Sequence, residues 1–500
     1  MQSNREIKKI IIMETLPKSG VFAMVLLIAN LCFTYNSLGQ AGPVRLKGSG
    51  GTITEINISG TFYEVHSYTA TGSATFTPPS GAPNVEYLVV AGGGGGGNSS
   101  DRTGGGGGAG GVLSSSSFGV TVQGYPVTVG AGGAANTAGS NSIFTIFTAV
   151  GGGRGGQSGS LATSGGSGGG GYHNVADVGG SGTPGQGTAG GKGYDAADGT
   201  NGSFAAGGGG GQSQAGANGV NTSGKNSNAG KGGDGFTSLI SGTSTVYAGG
   251  GGGGFQHLGT SSGNAGAGGT GGGGAGGSGT GSASQSGTAG TANRGGGGGG
   301  AGGSAGGAGG IGGSGIVIIR YKAPTMAITT QPSVIVPAGS NFAQPVVIQI
   351  LDGNGAGVSG VIVTAAIQSG TGGTLSNNTA TTDASGNATF TNLQLSGPAS
   401  NAYTLNFQVP GSATVVVSNT INICGVPLST ITGHSDITCN GNTDGTISVQ
   451  ASGGASPYTF SINNGTYAAG NTANTNIFTG LVPNTPYQIK AKDKNGCISK

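Results

Sequence analysis

Residues 85–97, VEYLVVAGGGGGG, and residues 312–321, GGSGIVIIRY, decide how this chain is read. Each sets an apolar strand directly against glycine. Between them Gly, Ala and Ser make up most of the sequence, in runs such as RTGGGGGAGG (102–111), YAGGGGGGF (247–255) and NRGGGGGGAGG (293–303). Gly accounts for 120 of 500 residues. Glycine loses more backbone entropy on folding than any other residue. Such a tract is therefore either left disordered or used where only a backbone without side chains fits.

The flanks argue for order. Residues 63–68 and 74–77 alternate, Pro78 and Pro79 break the pattern, and 87–91 and 315–321 read as buried strands. Within the tract, 120–129, 142–150 and 236–247 are further strand candidates. A flexible tether has no use for strands at intervals. The strict Gly-X-Y period of collagen is missing. What remains is an extended helix of three residues per turn without internal hydrogen bonds, whose N–H and C=O groups point sideways. Packed side by side, such polyglycine-II-like helices satisfy one another's backbone groups. Tyr172, His173, Tyr194, Phe204, Phe255 and His257 then fall at turns or on the outer face.

Outside the tract Val, Ile, Thr, Ser and Asn dominate, interrupted by turn residues, and no amphipathic helix is evident after residue 40. The net charge is +3, carried by few and scattered charges, which gives no footprint for nucleic acid. With no Trp, 4 His and 15 Asp plus Glu, catalytic groups are scarce for this length.

Arg5, Lys8, Lys9 and Lys18 precede an apolar run, 21–33, followed by TYNSLGQ (34–40). A basic start, a short apolar core and a small-residue end describe a secretory signal peptide, residues 1–39, removed before Gln40. The run is short for a membrane span, so no membrane insertion is expected after its removal. Asn30 and Leu31 before Cys32 do not fit a lipoprotein signal.

Three resemblances organise the rest. VHSYTATGSATFTPPSG (65–81), VEYLVVAGGGGGG (85–97) and GGSGIVIIRY (312–321) resemble the glycine-rich domain of bacterial surface proteins and phage tail-fibre tips. That resemblance implies a β-sandwich with inserted glycine helices and a role in adhesion or recognition. QPVVIQILDGNGAGVSGVIVTAAI (344–367) and LSNNTATTDASGNATFTNLQL (375–395) resemble bacterial Ig-like domains of the invasin/intimin type, which implies a rigid sandwich spacer. DITCNGNTDGTISVQASGGASPYTFSINNG (436–465) with FTGLVPNTPYQIKAKDKNGC (478–497) resembles the SprB repeat, named for a gliding adhesin of Bacteroidota, which implies another small sandwich. The fold class expected is all-β: a glycine-rich domain over 40–322, then two Ig-like sandwiches over 323–423 and 424–500. The missing C-terminal sorting domain suggests the front of a longer protein.

In an exported chain disulfides are expected. Cys439 and Cys497 lie in the first and last strands of the SprB-like module and are expected to pair, worth about 3–4 kcal/mol by loop entropy. Cys424 is then left over, free or paired elsewhere.

Other signals weaken on inspection. Asp352, Asn354, Asp383 and Asn387 offer oxygens for calcium, yet Asx residues in turns bond their own backbone, and turn chemistry is the preferred reading. GVNTSGKN (219–226) has Asn226 where a phosphate loop needs Ser or Thr, and no helix follows. Gly232-Gly233-Asp234-Gly235 resembles a calcium-binding nonapeptide but occurs once. His66, His173, His257 and His434 lack metal-ligand spacing, and no nucleophile–base constellation can be nominated. The expectation is a secreted, cell-surface, non-catalytic adhesin without metal or cofactor. Its extracellular ligand is a glycan, a protein or a surface. The alternatives are a purely structural spacer and the front part of a larger secreted enzyme.

Overall fold

The computed structural model describes residues 43–99, 102–174, 177–195, 202–223, 226–259, 261–281, 283–304, 306–398, 402–425, 428–438, 443–469, 474–494 and 496–499. Residues 1–39, read above as a signal peptide, lie outside them. Every helix or strand among the described residues is a strand.

The apolar segments that bracket the glycine tract are neighbours in one sheet. The chain runs through β1 (Val44–Arg45), β2 (Thr52–Ile58), β3 (Thr61–Tyr68), β4 (Gly72–Phe76), β5 (Asn84–Val90), β6 (Val112–Gly119), β7 (Tyr125–Val129), β8 (Ser142–Phe144) and β9 (Phe147–Ala149). The closing strand, Ile316–Lys322, inserts between β3 and β5, antiparallel to both, with Ile316 opposite Val90 and Tyr321 opposite Glu64. The sheet order is β2, β3, closing strand, β5, β6. A central strand is covered on both faces, which explains its unbroken apolar run. Val317, Ile319 and Tyr321 point into a core with Tyr68, Phe76, Tyr125 and Phe144. Ile316 and Ile318 point the other way, onto Val65, Leu88, Val90, Ile240 and Tyr247. The second sheet of the sandwich is β4, β7, β8, β9. The expected strand 120–129 is confined to Tyr125–Val129, because a bend precedes it. The expected 142–150 is the tight hairpin β8–β9, and 236–247 is the hairpin Phe236–Ser238 with Thr245–Tyr247.

The glycine runs leave this sandwich and return to it. Their backbone bonds repeat every three residues. Gly92 and Gly95 donate to Ser140 and Thr137, Gly93 and Gly96 to Gly313 and Gly310, and Gly94 and Gly97 to Gly108 and Gly105. The carbonyls of the same run accept with the same period. Gly92 and Gly95 receive Gly152 and Gly155, Gly94 and Gly97 receive Gly298 and Ala301, and Gly93 receives Gly133. Each run thus gives its bonds to surrounding runs rather than to itself, as buried backbone must.

The runs 104–111, 206–211, 248–254 and 295–302 have six surrounding partners in the same manner. These and 91–97 are among the glycine-richest stretches of the sequence. The reason is steric. A Cβ on Gly94 would stand 2.1 Å from the Gly153 oxygen, and one on Gly106 2.0 Å from that of Gly251. Runs at the rim need glycine only on their inner faces. In 229–235 (AGKGGDG), Gly230 and Gly233 donate inward to Ala206 and Gly209, while Lys231 and Asp234 stand outward and pair at 2.9 Å.

The Ig-like module is a sandwich of two sheets. One comprises β1 with Thr325–Thr330, Val346–Leu351 and Asn387–Phe390. The other comprises Ile335–Pro337, Ile421–Cys424, Ala402–Gln408, Ile362–Ser369 and Thr379–Thr381. Met326, Ile348, Tyr403, Phe407 and Ile421 are buried between them. Here β1 matters. Val44 pairs with Met326, and Leu46 is fully buried in this core. The start of the stretch read as glycine-rich domain is therefore a strand of the Ig-like sheet, and the glycine-rich domain is inserted between two neighbouring strands of that sheet.

The C-terminal module places Leu428–Ser435, Gly445–Ser452 and Thr475–Leu481 against Ala468–Ala469, Thr459–Ile462 and Ile489–Lys492, around Val449, Phe460 and Ala491. Its cysteine pairing differs from the expectation. Cys497 bonds Cys424, with Cα atoms 5.7 Å apart, not Cys439. Cys439 lies outside the described residues. The tail turns back at Asp493, whose Oδ1 accepts the Cys497 N–H at 2.8 Å. That turn carries Cys497 to the base of the module, where Cys424 leaves the Ig-like sheet.

Candidate functional site

The glycine runs alternate in direction, away from the sandwich and back. Gly94 meets Gly108 and Gly97 meets Gly105, so 91–97 climbs and 104–111 descends. One end of the bundle is joined to the sandwich through β5, β6 and the closing strand. The opposite end holds Tyr172, His173, Tyr194, Phe204, Phe255 and His257, but not as expected at turns or on an outer face: the last four lie in strands, and His173, Phe204 and Phe255 are buried. Its small sheet contains Tyr194–Asp195, Gly202–Ala205, Phe255–Leu258 and Ser278–Thr280, beside the hairpin Val220–Ser223 with Asn226–Asn228.

At this distal end Phe204 is buried under the Arg102 guanidinium, 4.0 Å from the ring centre, where the ring face attracts the cation. His173 meets Phe204 edge-on at 5.2 Å and Tyr172 at 5.0 Å. Asn174 donates to the Tyr172 hydroxyl at 3.0 Å, and Asn221 to that of Tyr194 at 3.2 Å. Asp177 is buried, and its carboxylate accepts the Tyr172 N–H at 3.1 Å and the Ala162 N–H at 3.3 Å. Leu161 and Val178, the chain neighbours of Ala162 and Asp177, are 60% and 69% exposed. The distal end thus exposes the apolar carbon of Leu161 and Val178 and part of Tyr172, Tyr194 and Arg102, while Phe204 and His173 are buried beneath. Such a set can bind by stacking and hydrogen bonding.

Along the bundle flank the polar groups hold the backbone. Asp234 accepts from Lys231, and from the Thr270 N–H at 2.8 Å. The Lys231 hydrogen bond, followed by that of Thr270, holds its carboxyl below the usual carboxylate range. The Thr188 hydroxyl donates to Gly211 O at 2.7 Å.

Two further features lie elsewhere. An open cleft of about 660 Å³ separates the sandwich from the Ig-like module, lined by Pro79, Pro83, Val122, Val358, Ile362 and Pro410. Inside the sandwich, Glu64, His66 and Tyr321 are closed off from solvent. Glu64 Oε1 accepts the Gly48 N–H at 2.9 Å and the Tyr321 hydroxyl, and lies 2.8 Å from His66 Nε2. His66 Nδ1 donates to Gly50 O at 2.7 Å. Burial, reinforced by the Glu64 carboxylate, pushes the Tyr321 hydroxyl far above the usual phenol range. This network fastens the entering chain to the closing strand and has no path to a substrate.

The remaining sequence candidates resolve into local chemistry. Asp352 Oδ1 accepts the N–H groups of Asn354 and Ala356 at 2.8 and 2.9 Å. Asp383 Oδ1 accepts those of Ser385 and Asn387 at 2.8 and 3.0 Å. Both are Asx turns, as the turn reading expects. Among the described residues no group of three or more His, Cys, Asp or Glu is placed to hold a metal. Within 219–226, Gly224 and Lys225 lie outside the described residues, and the rest frames a hairpin. Sequence reasoning did not single out Arg102, Leu161 or Val178. Each interrupts a glycine-rich stretch with a large side chain, which was the available signal.

Residues 69–322, just over half of the chain, match the glycine-rich domain family. Residues 434–467 match the SprB repeat. No curated protein matches the chain. Among solved structures, a C-terminal 282-residue fragment of intimin in complex with the intimin-binding domain of the translocated intimin receptor shares 16% identity at a TM-score of 0.23. That alignment covers 36% of this chain and 56% of the fragment. The D0–D1 domain of intimin shares 17% identity at a TM-score of 0.17, covering 35% of this chain and 96% of that one. From the match over 69–322, carried by the bracketing strands and the glycine runs between them, the chain belongs to the glycine-rich domain family.

Proposed function

We propose that the chain is a secreted cell-surface adhesin. The glycine bundle is its head and the Ig-like and SprB modules are its stalk. Residues 1–39 serve as the export signal in this reading, and the glycine runs are polyglycine-II-like helices. The observation that carries the proposal is the sorting of side chains. Arg102, Tyr172, His173, Tyr194 and Phe204 gather at the end of the bundle opposite the sandwich, beside exposed Leu161 and Val178. Exposed apolar side chains gathered on an otherwise polar surface mark contact sites. A stiff glycine bundle projects that surface away from the stalk. The chain has no catalytic role in this reading, and its ligand is an extracellular glycan, protein or surface.

A second reading, a spacer without a ligand, is favoured by the burial of Phe204 and Phe255, which removes these two rings from contact. One experiment separates the two. Beads carrying the full chain are tested under flow on a printed glycan array, on mucin and on polystyrene. The comparison is with a variant carrying Leu161→Ser, Tyr172→Ala and Val178→Ser. The adhesin reading expects retention on at least one surface and at least a tenfold loss in the variant. Equal retention of both proteins, or none on any surface, contradicts it.

A further inference from the structure

We propose that the Cys424–Cys497 bond is a mechanical shunt: it carries tension past the C-terminal module and keeps that module folded under load. The bond joins the point where the chain enters the module to the point where it leaves. The two cysteines are 73 positions apart in sequence, yet their Cα atoms stand 5.7 Å apart.

Both anchor points are firm. Cys424 ends the strand Ile421–Cys424, which pairs in parallel with Ile335–Pro337 and antiparallel with Ala402–Gln408. Ile421 is fully buried in the Ig-like core, as is Ile423. Tension arriving at Cys424 from the Ig-like side is therefore delivered by an embedded strand. On the far side, Cys497 is clasped by Asp493, whose N–H donates to Cys497 O at 2.9 Å and whose Oδ1 accepts the Cys497 N–H at 2.8 Å. Beyond Cys497, Ile498 bridges to Lys492, and Ser499 N donates to Ala491 O at 2.8 Å. Only this short pairing has to peel before tension reaches the sulfur. Both cysteines are nearly buried, at 3% and 5% exposure, which shields the bond from dissolved reductants.

Without the bond, the same tension would act on the fold. The first strand, Leu428–Ser435, and the last, Ile489–Lys492, belong to opposite sheets of the sandwich. Drawing their ends apart would separate the sheets and expose Val449 and Phe460. Non-covalent contacts yield long before a covalent bond, so the load takes the disulfide path. The inference stands on the cross-link and is independent of what the head contacts.

The test is single-molecule force spectroscopy on the full chain, held by handles at its two ends. Oxidised wild type is compared with the double variant Cys424→Ser, Cys497→Ser. At complete extension the wild type is expected to be about 25 nm shorter, from 73 residues at up to about 3.6 Å each. It also lacks the unfolding event that the variant's C-terminal module adds. If the variant's module does not fold, the same 25 nm appears as slack at low force, and the wild type must still lack it. Equal full extension, or a 25 nm step in the oxidised wild type, overturns the proposal.

Discussion

The carbonyl oxygen of Gly298 stands 2.0 Å from the point that a Cβ on Gly251 would occupy. The Gly251 N–H, in turn, donates to Gly107 on another side. The run is closed on all sides by backbone that cannot rotate away. Gly251→Ala is expected to destabilise the glycine-rich domain by about 3 kcal/mol, at the upper end of ordinary overpacking. Gly119→Ala, whose new methyl would meet nothing nearer than Asn84 Oδ1 at 3.9 Å, is expected to leave stability unchanged or slightly raised. Denaturant midpoints of the two variants check this, and similar midpoints would count against close packing.

Cys424→Ser and Cys497→Ser are expected to cost the same, about 4 kcal/mol on the loop-entropy model for a loop of this length. Cys439→Ser is expected to be neutral. Peptide mapping without reduction should recover one linked pair joining the segments around 424 and 497. A linked 439–497 pair would contradict the structure.

The Tyr321 hydroxyl donates to Glu64 and accepts the Gly48 N–H at 2.8 Å in a site closed to water. Tyr321→Phe keeps the ring but takes one donor from the buried Glu64 carboxylate, while the Gly48 N–H keeps Glu64 Oε1 at 2.9 Å, at a cost of about 1–3 kcal/mol. Thermal or urea unfolding measures it. A wild-type-like midpoint would mean that the network is not dry. In the native protein the raised Tyr321 hydroxyl should also stay protonated through an alkaline absorbance titration, until the domain unfolds.

Asp234 contributes in the other direction of pH. Its carboxyl is held low by Lys231 and Thr270, so the folded protein favours the ionised form. The resulting stabilisation is present above the ordinary carboxylate pKa and is lost as pH falls through the lowered folded value. The pair is substantially exposed, 47% and 32% at the side chains, so screening keeps the effect below about 1 kcal/mol. Asp234→Asn should therefore narrow the fall in melting temperature between neutral and acid pH. An unaltered pH profile would show that the pair contributes nothing.

The legible parts of the fold were those where burial leaves one solution. The run Ile316–Ile319 is apolar without alternation because both faces are covered, and it declared itself as a buried strand. The glycine runs declared themselves because surrounding backbones exclude a Cβ at most of their positions, leaving room for single alanines such as Ala109 and Ala301. β2 and β6 were not legible. TITEINI of β2 is an edge strand that is almost wholly exposed, and β6 is largely serine. The insertion of the glycine domain into the Ig-like sheet rests on Val44 to Leu46, too short a segment to signal by pattern. Cys424 was misread for a related reason. Its strand belongs to one module and its bond to the next, and pairing by module hides that. At the distal end, the aromatic and histidine positions were legible as interruptions of glycine. The contact of Arg102 with Phe204 is set by the bundle's path and could not be seen in sequence.

Amide hydrogen exchange across residues 91–315 tests the central claim, that the glycine tract is an ordered, laterally bonded bundle. Slow exchange is expected in 91–97, 104–111, 206–211, 248–254 and 295–302, whose N–H groups are buried and bonded to neighbouring runs, and faster exchange at the rim and at the distal turns. Uniformly fast exchange through the tract would contradict it.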